Sequence, residues 1–122
     1  MKNFDKALAK FLTAIDSDTH LFASTLGFIN EWFDFTPVAF RNGKVVNSAE
    51  QNQGSCRVLA FAMLNGLSSE QALKCFGEHY RDVLATPGVD NHHNLRRLRA
   101  EGLTDITFDR FPLRRKQAEH QG

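Results

Sequence analysis

The sequence predicts an α+β fold, a mainly helical single domain with a central buried helix and a small antiparallel β-hairpin or sheet. Three observations support this prediction. Several segments carry apolar residues at helical spacing, the run from Cys56 to Asn65 is apolar on almost every face, and Asn42-Gly43 separates two short segments of β-branched and aromatic residues. A chain of 122 residues has the length of one domain. We assign residues 1–113 to this domain and predict that the polar residues 114–122 form a disordered tail.

Composition and charge exclude several classes of protein. The chain has 15 Lys and Arg against 14 Asp and Glu, so no overall field favours nucleic acid or a membrane surface. Two cysteines are too few for the disulfide framework of a small secreted protein, and they predict a reducing compartment. No apolar run approaches the roughly 18 residues that a membrane-spanning helix needs. We therefore expect a soluble, monomeric protein of the cytoplasm with no membrane partner.

The first third of the chain predicts two helices. The first is amphipathic, with one apolar face made by Phe4, Leu8, Phe11, Leu12 and Ile15. Asp16-Ser17-Asp18 supplies cap residues for the second helix, whose apolar stripe contains Phe22, Leu26, Ile29 and Phe33. Because the residue before a proline avoids the α conformation, we expect Thr36-Pro37 to end this second helix.

The middle of the chain predicts a hairpin followed by the central helix. Asn42-Gly43 suits a two-residue type I′ turn, which would place Phe40 opposite Val45. A polar loop then leads to Ser55, which can cap a helix that begins at Cys56. Its apolar side chains leave almost no polar face, so this helix should form the centre of the core.

The last part of the chain predicts two more helices and a strand. Gly66 fits a left-handed C-cap, and Ser68-Ser69-Glu70-Gln71 is a capping box for one helix that runs to Leu84. Asp90 or Asn91 can cap a shorter helix that buries Leu95 and Leu98, turns Arg96, Arg97 and Arg99 outward, and ends at Gly102. Ile106 and Phe108 alternate with polar residues, which predicts a last strand at the edge of the hairpin.

Many short motifs between Thr25 and Phe108 follow one pattern in order and spacing. They are Phe35-Thr36-Pro37, Ala39-Phe40, Asn42-Gly43, Asn47, Gln51-Asn52, Gly54-Ser55-Cys56, Ala60-Phe61, Cys75-Phe76-Gly77, Tyr80-Arg81, Asp82-Val83-Leu84, Pro87, His92, Asn94 and Arg96. In these motifs the chain resembles the HopJ type III effector proteins. It departs from that pattern at Asn91, where an aspartate is expected before the histidine, and at Leu103, where the pattern has Gly-Trp near this point.

The resemblance implies a homologue of a type III effector whose biochemical activity is undetermined. The matched polar residues that we single out as binding candidates are Asn47, Asn52, Tyr80, Arg81 and Arg96. A type III secretion signal is usually disordered and rich in serine, whereas this chain begins with a predicted helix. Secretion therefore rests on the resemblance alone, and we expect this member to stay in the cytoplasm.

Cys56 suggests an alternative function, a cysteine-dependent hydrolase or acyltransferase. It lies near the predicted start of the central helix, where the helix dipole favours a thiolate. The roles would be Cys56 as nucleophile, His92 as base, Asn94 or Asp90 as orienting residue, and Gln51 or Gln53 as oxyanion donor. The segment before Cys56 resembles that of papain-like proteases, but their nucleophile comes three positions later, at Leu59 here. A buried cysteine that only packs is the competing interpretation.

Two further clusters have weaker signals. Cys75 and His79 share a helix face and have His92 and His93 downstream, but no closely spaced Cys or His pair of a zinc motif is present, so we predict no metal and no cofactor. A basic set near the C-terminus suits phosphate or an acidic partner and contains Arg96, Arg97, Arg99, Arg110, Arg114, Arg115 and Lys116. No nucleic-acid motif accompanies it. The sequence therefore favours a protein-interaction module with an unknown protein partner, and nucleic acid is disfavoured.

Overall fold

The computed structural model describes residues 3–116, and within them the chain forms six helices and five short strands. The helices are α1 Phe4–Ala14, α2 Phe22–Trp32, α3 Gln53–Leu64, α4 Ser69–Cys75, α5 Glu78–Ala85 and α6 His93–Glu101. The strands are β1 Phe33–Phe35, β2 Phe40–Asn42, β3 Val45–Asn47, β4 Ile106–Phe108 and β5 Leu113–Arg115. The predicted α+β architecture is confirmed. None of these helices is both long enough and apolar enough to cross a bilayer.

Helix α3 is the centre of the core, as predicted. Five consecutive side chains, Val58 to Ala62, are completely buried. Phe61 meets Phe11, Phe28 and Phe33 edge to face, with ring centroids 5.8 to 5.9 Å apart. Edge-to-face pairs of this kind add stabilisation to the burial of apolar area, which explains why so many phenylalanines converge on one helix.

The hairpin is confirmed, but its predicted register is wrong. Phe40 lies opposite Asn47 and Asn42 opposite Val45, so the two-residue loop is Gly43-Lys44. Only Gly43 of this loop has a positive φ, at 60°, whereas a type I′ turn needs positive φ at both central residues. The reason lies outside the hairpin, because the Asn42 side chain is buried and hydrogen-bonded to distant residues. The predicted last strand is confirmed as β4, which pairs antiparallel with β2.

Helix α2 differs from its prediction at both ends. Its N-cap is Leu21, which makes no side-chain cap, so Asp16-Ser17-Asp18 does not cap it. It ends at Trp32, before Thr36-Pro37, because β1 pairs antiparallel with β5. Arg114 and Arg115, which we placed in the disordered tail, therefore belong to a strand, and residues 117–122 of that predicted tail lie outside the described residues.

Helix α3 begins earlier than predicted but ends as predicted. It starts at Gln53 after Asn52 in the left-handed conformation, so Ser55 lies inside the first turn and is not the cap. At the other end Gly66 has φ +66°, and the Leu67 N–H donates to the Ala62 carbonyl at 2.9 Å. This is the six-residue bond of a Schellman motif.

The helix predicted from Ser69 to Leu84 is in fact two helices. Its capping box is confirmed, since Ser68 Oγ accepts from the Gln71 N–H at 3.0 Å and Gln71 Oε1 accepts from the Ser68 N–H at 2.9 Å. The chain then breaks at Gly77, which has φ +56°. The backbone turns there because the start of α2 packs against this glycine. Helix α6 ends at Gly102 as predicted, but its N-cap is His92 and neither Asp90 nor Asn91.

Candidate functional site

Four asparagines, of which Asn42, Asn47 and Asn94 are buried, form a hydrogen-bonded network that joins the hairpin to the starts of α3 and α6. Asn94 Nδ2 donates to Asn47 Oδ1 at 2.9 Å, and Asn42 Nδ2 donates to the Asn94 carbonyl at 3.0 Å. Asn52 Nδ2 donates to the same Asn47 oxygen at 2.8 Å. Buried amides are stable only when such partners are present, and a fully connected network favours one arrangement of the chain. The network therefore fixes the two helix starts relative to each other.

Arg97 belongs to this framework, and our prediction that it points outward is wrong. Its side chain is only 9% exposed. One terminal nitrogen donates to Asn42 Oδ1 at 3.1 Å and to the carbonyls of Gly102 and Thr104, and the other pairs with Glu101 at 3.2 Å. The guanidinium thus donates to the backbone carbonyl groups that follow α6, and these hydrogen bonds compensate for the burial of its charge.

A pocket of about 210 Å³ opens between the starts of α3 and α6, and we call it the histidine pocket. Phe22 and Phe76, stacked with centroids 5.6 Å apart, and Leu95 supply its apolar walls. Its other lining residues are Asn52, Gly54, Ser55, His79, His92, His93 and Asn94. The pocket is therefore amphipathic, with polar groups concentrated at the two helix starts.

The three imidazoles of the pocket have different surroundings. His92 Nε2 lies 3.2 Å from Asp82 Oδ2, and His93 Nε2 lies 2.8 Å from Asp90 Oδ1. Asp90 therefore pairs with His93 and does not orient His92, for which it was one of the two candidates beside Asn94. The His79 ring lies 5.2 Å from the His92 ring. Among residues 3–116 no hydrogen bond to the His79 side chain is found.

Both helix starts present backbone N–H groups without a side-chain cap. Their N-cap residues, Asn52 and His92, are left-handed, with φ of 53° and 50°. The first intrahelical bonds are made by the Cys56 and Arg96 N–H groups, so the preceding amides are unpaired within the part of the chain that the structure describes. Such groups carry partial positive charge and donate hydrogen bonds. The pocket therefore suits a group that accepts hydrogen bonds.

Cys56 does not line this pocket, and its burial argues against the nucleophile role that the enzyme hypothesis gives it. The residue is completely buried, and burial raises the pKa of its thiol to about 12, with only partial opposition from Arg57. A nucleophilic cysteine needs an accessible thiolate. Of the two proposed oxyanion donors, Gln53 is engaged, because its amide bonds Val38 through both ends, whereas among residues 3–116 the Gln51 side chain uses only its oxygen, which accepts from the Ser48 N–H.

The alternative zinc site is not assembled either. Cys75 is completely buried, and burial raises the pKa of its thiol to about 12. Within residues 3–116, no group of three or more His, Cys, Asp or Glu side chains is placed to hold a metal ion.

The five residues predicted to bind a ligand separate into three places. Asn47, which is 1% exposed, and Asn52 both belong to the network, and Asn52 also lines the pocket. Tyr80 and Arg81 are half-buried on α5, and Arg96 lies on a side of α6 that does not line the histidine pocket. They do not form one site.

Comparison with known proteins agrees with this architecture. The family model described as HopJ type III effector protein matches residues 8–113. The chain belongs to the HopJ family. It is also similar to a solved crystal structure of a protein of unknown function, VPA0580, at 41% identity and a TM-score of 0.82, with 89% of this chain and 93% of that chain covered. A comparison with curated proteins finds no match.

Sequence reasoning missed the two features that organise the site of this HopJ-family protein, the asparagine network and Arg97. A signal was present in the strands. Asn42 and Asn47 stand at inward positions of β2 and β3, where the alternation of side chains calls for apolar residues. An asparagine at such a position needs buried partners, and these come from α3 and α6.

Proposed function

We propose that this HopJ-family protein acts as a non-covalent protein-interaction module whose histidine pocket receives one side chain of a partner protein. The size of the pocket is the observation that carries the proposal. At about 210 Å³ it is smaller than the roughly 300–1,000 Å³ typical of sites for drug-sized ligands. Its apolar walls and unpaired donors suit the stem and the polar end of a single side chain.

The rigidity of the pocket supports binding as its role. The asparagine network holds both helix starts before any partner arrives, so little ordering remains to be done on association. The buried thiols add to this argument, because they leave the pocket without an activated cysteine. The interaction would then depend on the shape and hydrogen bonding of the pocket.

Filling the pocket tests the proposal. Ser55→Phe places an aromatic ring in the pocket, and Ser24→Phe adds the same ring at an exposed position of α2 as the matched control. Affinity capture from bacterial lysate, followed by quantitative mass spectrometry, should recover one set of proteins with the wild type and Ser24→Phe and lose it with Ser55→Phe. Equal recovery with all three proteins would refute the role of the pocket.

A second pocket variant keeps the test valid if Ser55→Phe fails to fold. His93 lines the pocket, and its side chain is 61% exposed, so His93→Trp should obstruct the opening without disturbing the core. Circular dichroism and thermal unfolding establish that each variant is folded. A folded His93→Trp protein that captures the full set would also count against the proposal.

The place of action is a separate proposal. We propose that the protein works in the bacterial cytoplasm, which agrees with two free cysteines and the reducing conditions of that compartment. The family description concerns type III effectors, so delivery to a host cell is the competing outcome. A fusion to a reporter enzyme that is active only in host cytosol distinguishes the two, since host-cell signal above that of a secretion-defective strain would overturn cytoplasmic residence.

A further inference from the structure

A second surface, which we call the basic cleft, lies between the end of α5 and α6. It has a volume of about 350 Å³ and is lined by Val83, Pro87, Arg96, Arg99 and Ala100. Helix α6 contributes to both the histidine pocket and the basic cleft, through its first turn and its later arginines respectively. A partner that follows α6 can therefore contact both.

Arg96 is held in place by neutral groups. Its Nε donates to the Asn91 carbonyl at 2.6 Å, and one terminal nitrogen donates to Asn91 Oδ1 at 2.7 Å and Thr86 Oγ1 at 3.2 Å. No carboxylate among the described residues pairs with it. The guanidinium is thus oriented in advance while its charge stays uncompensated, which lowers the entropy cost of binding an anion.

Arg99 adds a second free charge. It is exposed, and within the described part of the chain it makes no hydrogen bond or ion pair. The acidic side chains nearest in sequence are occupied elsewhere, with Asp90 paired to His93 at 2.8 Å and Glu101 paired to Arg97 at 3.2 Å. The cleft consequently presents two arginines and no internal counter-charge.

Exposed aliphatic groups stand on the elements that border the cleft. Pro87, after α5, and Ala100, on α6, line the cleft, and both are exposed. Exposed apolar side chains beside a charged group are typical of surfaces that bind proteins, because the apolar part supplies affinity and the charge supplies orientation. Free phosphate or nucleic acid would make no use of them.

We infer that the basic cleft binds an acidic segment of a partner protein, in which a carboxylate lies beside an aliphatic side chain. The carboxylate meets the remaining terminal nitrogen of Arg96 and the unoccupied guanidinium fork of Arg99, which matches paired carboxylate oxygens. The aliphatic side chain packs against Pro87 and Ala100 of the cleft lining. This inference goes beyond the proposed function, since it concerns a different surface and names the chemistry of the partner.

Selection from a random peptide library displayed on phage tests the inference on the full chain. Enriched peptides are resynthesised with a fluorescein label and their affinity is measured by anisotropy. The variants are Arg99→Glu and, as a control of equal charge change, Arg110→Glu, which is exposed and outside the cleft. Enrichment of Asp or Glu next to aliphatic residues is expected. Affinity should fall about tenfold or more with Arg99→Glu and stay unchanged with Arg110→Glu, because a reversed charge repels the carboxylate.

Other results would overturn the inference. They are the absence of enriched peptides, enrichment without acidic residues, or equal binding by Arg99→Glu and the wild type. Labelled RNA or DNA that binds tightly and loses affinity in Arg99→Glu would instead assign the cleft to nucleic acid. Measuring Ser55→Phe as well separates the two proposals. If the peptides lose affinity for Ser55→Phe but not for Arg99→Glu, only the histidine pocket is supported. If they lose affinity for Arg99→Glu but not for Ser55→Phe, only the basic cleft is supported.

Discussion

Burial sets the reactivity of the two cysteine thiols. Cys56 and Cys75 are both completely buried, and burial raises each pKa to about 12. At pH 8 the thiolate fraction is then on the order of 10⁻⁴. We predict that neither thiol reacts with iodoacetamide in the folded protein and that both react after unfolding in guanidinium. Fast alkylation of Cys56 alone, followed by mass spectrometry of its peptide, would contradict this.

His20 links stability to pH through a buried hydrogen bond. Thr25 Oγ1 donates its hydrogen to the Cys75 carbonyl at 2.7 Å. Since Oγ1 has no second hydrogen to give, His20 Nε2, which lies 2.7 Å from Thr25 Oγ1, must be the donor of the bond between them. Burial lowers the pKa of His20, the charge of Arg81 adds to the effect, and Glu78 opposes it. The unfolded chain therefore takes up a proton more readily, and the free energy of unfolding should decrease as pH falls below about 6.5.

Urea unfolding of the wild type and His20→Gln checks this prediction. Between about pH 7.5 and about pH 5.5, the wild type should lose more stability than the variant, which keeps a donor but cannot be protonated. Glu78, whose pKa is lowered chiefly by the Phe22 N–H, titrates below this window and leaves the comparison unaffected. Parallel pH profiles of the two proteins would show that His20 does not control the effect.

Between elements, Gly77 separates α4 from α5. Its φ is +56°, and a Cβ there would lie 2.6 Å from the Phe22 nitrogen and 2.8 Å from the His20 carbonyl oxygen. We predict that Gly77→Ala destabilises the protein by on the order of 3 kcal/mol, since backbone atoms must move. Gly27→Ala is the matched control, because nothing lies within 4 Å of that Cβ in α2. It should stabilise by up to about 1 kcal/mol in the same thermal unfolding experiment.

The asparagine network joins the hairpin to α3 and α6. Asn94→Ala would remove three side-chain hydrogen bonds, one with Asn42 and two with Asn47, and leave these buried amides with fewer partners. We expect a loss of about 2–4 kcal/mol in the free energy of unfolding, measured in urea. Asn30→Ala, at an exposed position of α2, should change the stability by less than about 0.5 kcal/mol. Similar effects of the two substitutions would show that the network contributes little.

The C-terminal strand β5 contributes to the core and pairs with β1. Leu113 is 6% exposed, β5 pairs with β1, and the Arg115 guanidinium lies 4.1 Å from the centre of the Phe4 ring. We predict that truncation after Pro112 costs about 3 kcal/mol through lost burial and pairing. Truncation after Lys116 keeps every contact among the described residues and is the matched control. A stable protein that ends at Pro112 would show that β5 is dispensable.

The predictions that succeeded depend on short stretches of sequence. The capping box at Ser68 and Gln71 and the left-handed Gly66 were predictable because each signal and its hydrogen bonds lie within a few residues. The failures share a different feature. The hairpin register is set by partners of Asn42 on α6, and the end of α2 is set by a strand from the far end of the chain. No local pattern contains those partners.

The candidate site shows the same distinction between features set by local sequence and features set by distant partners. The sequence alone determined a mainly helical α+β domain around an apolar central helix, because hydrophobic periodicity and capping residues act over a few turns of chain. Only the tertiary structure decided that Cys56 is packed in the core, that Arg97 is buried, and that His79 and His92 line one pocket. Burial, desolvation and the meeting of two helix starts depend on contacts between segments distant in sequence, and these are fixed only when the whole chain packs.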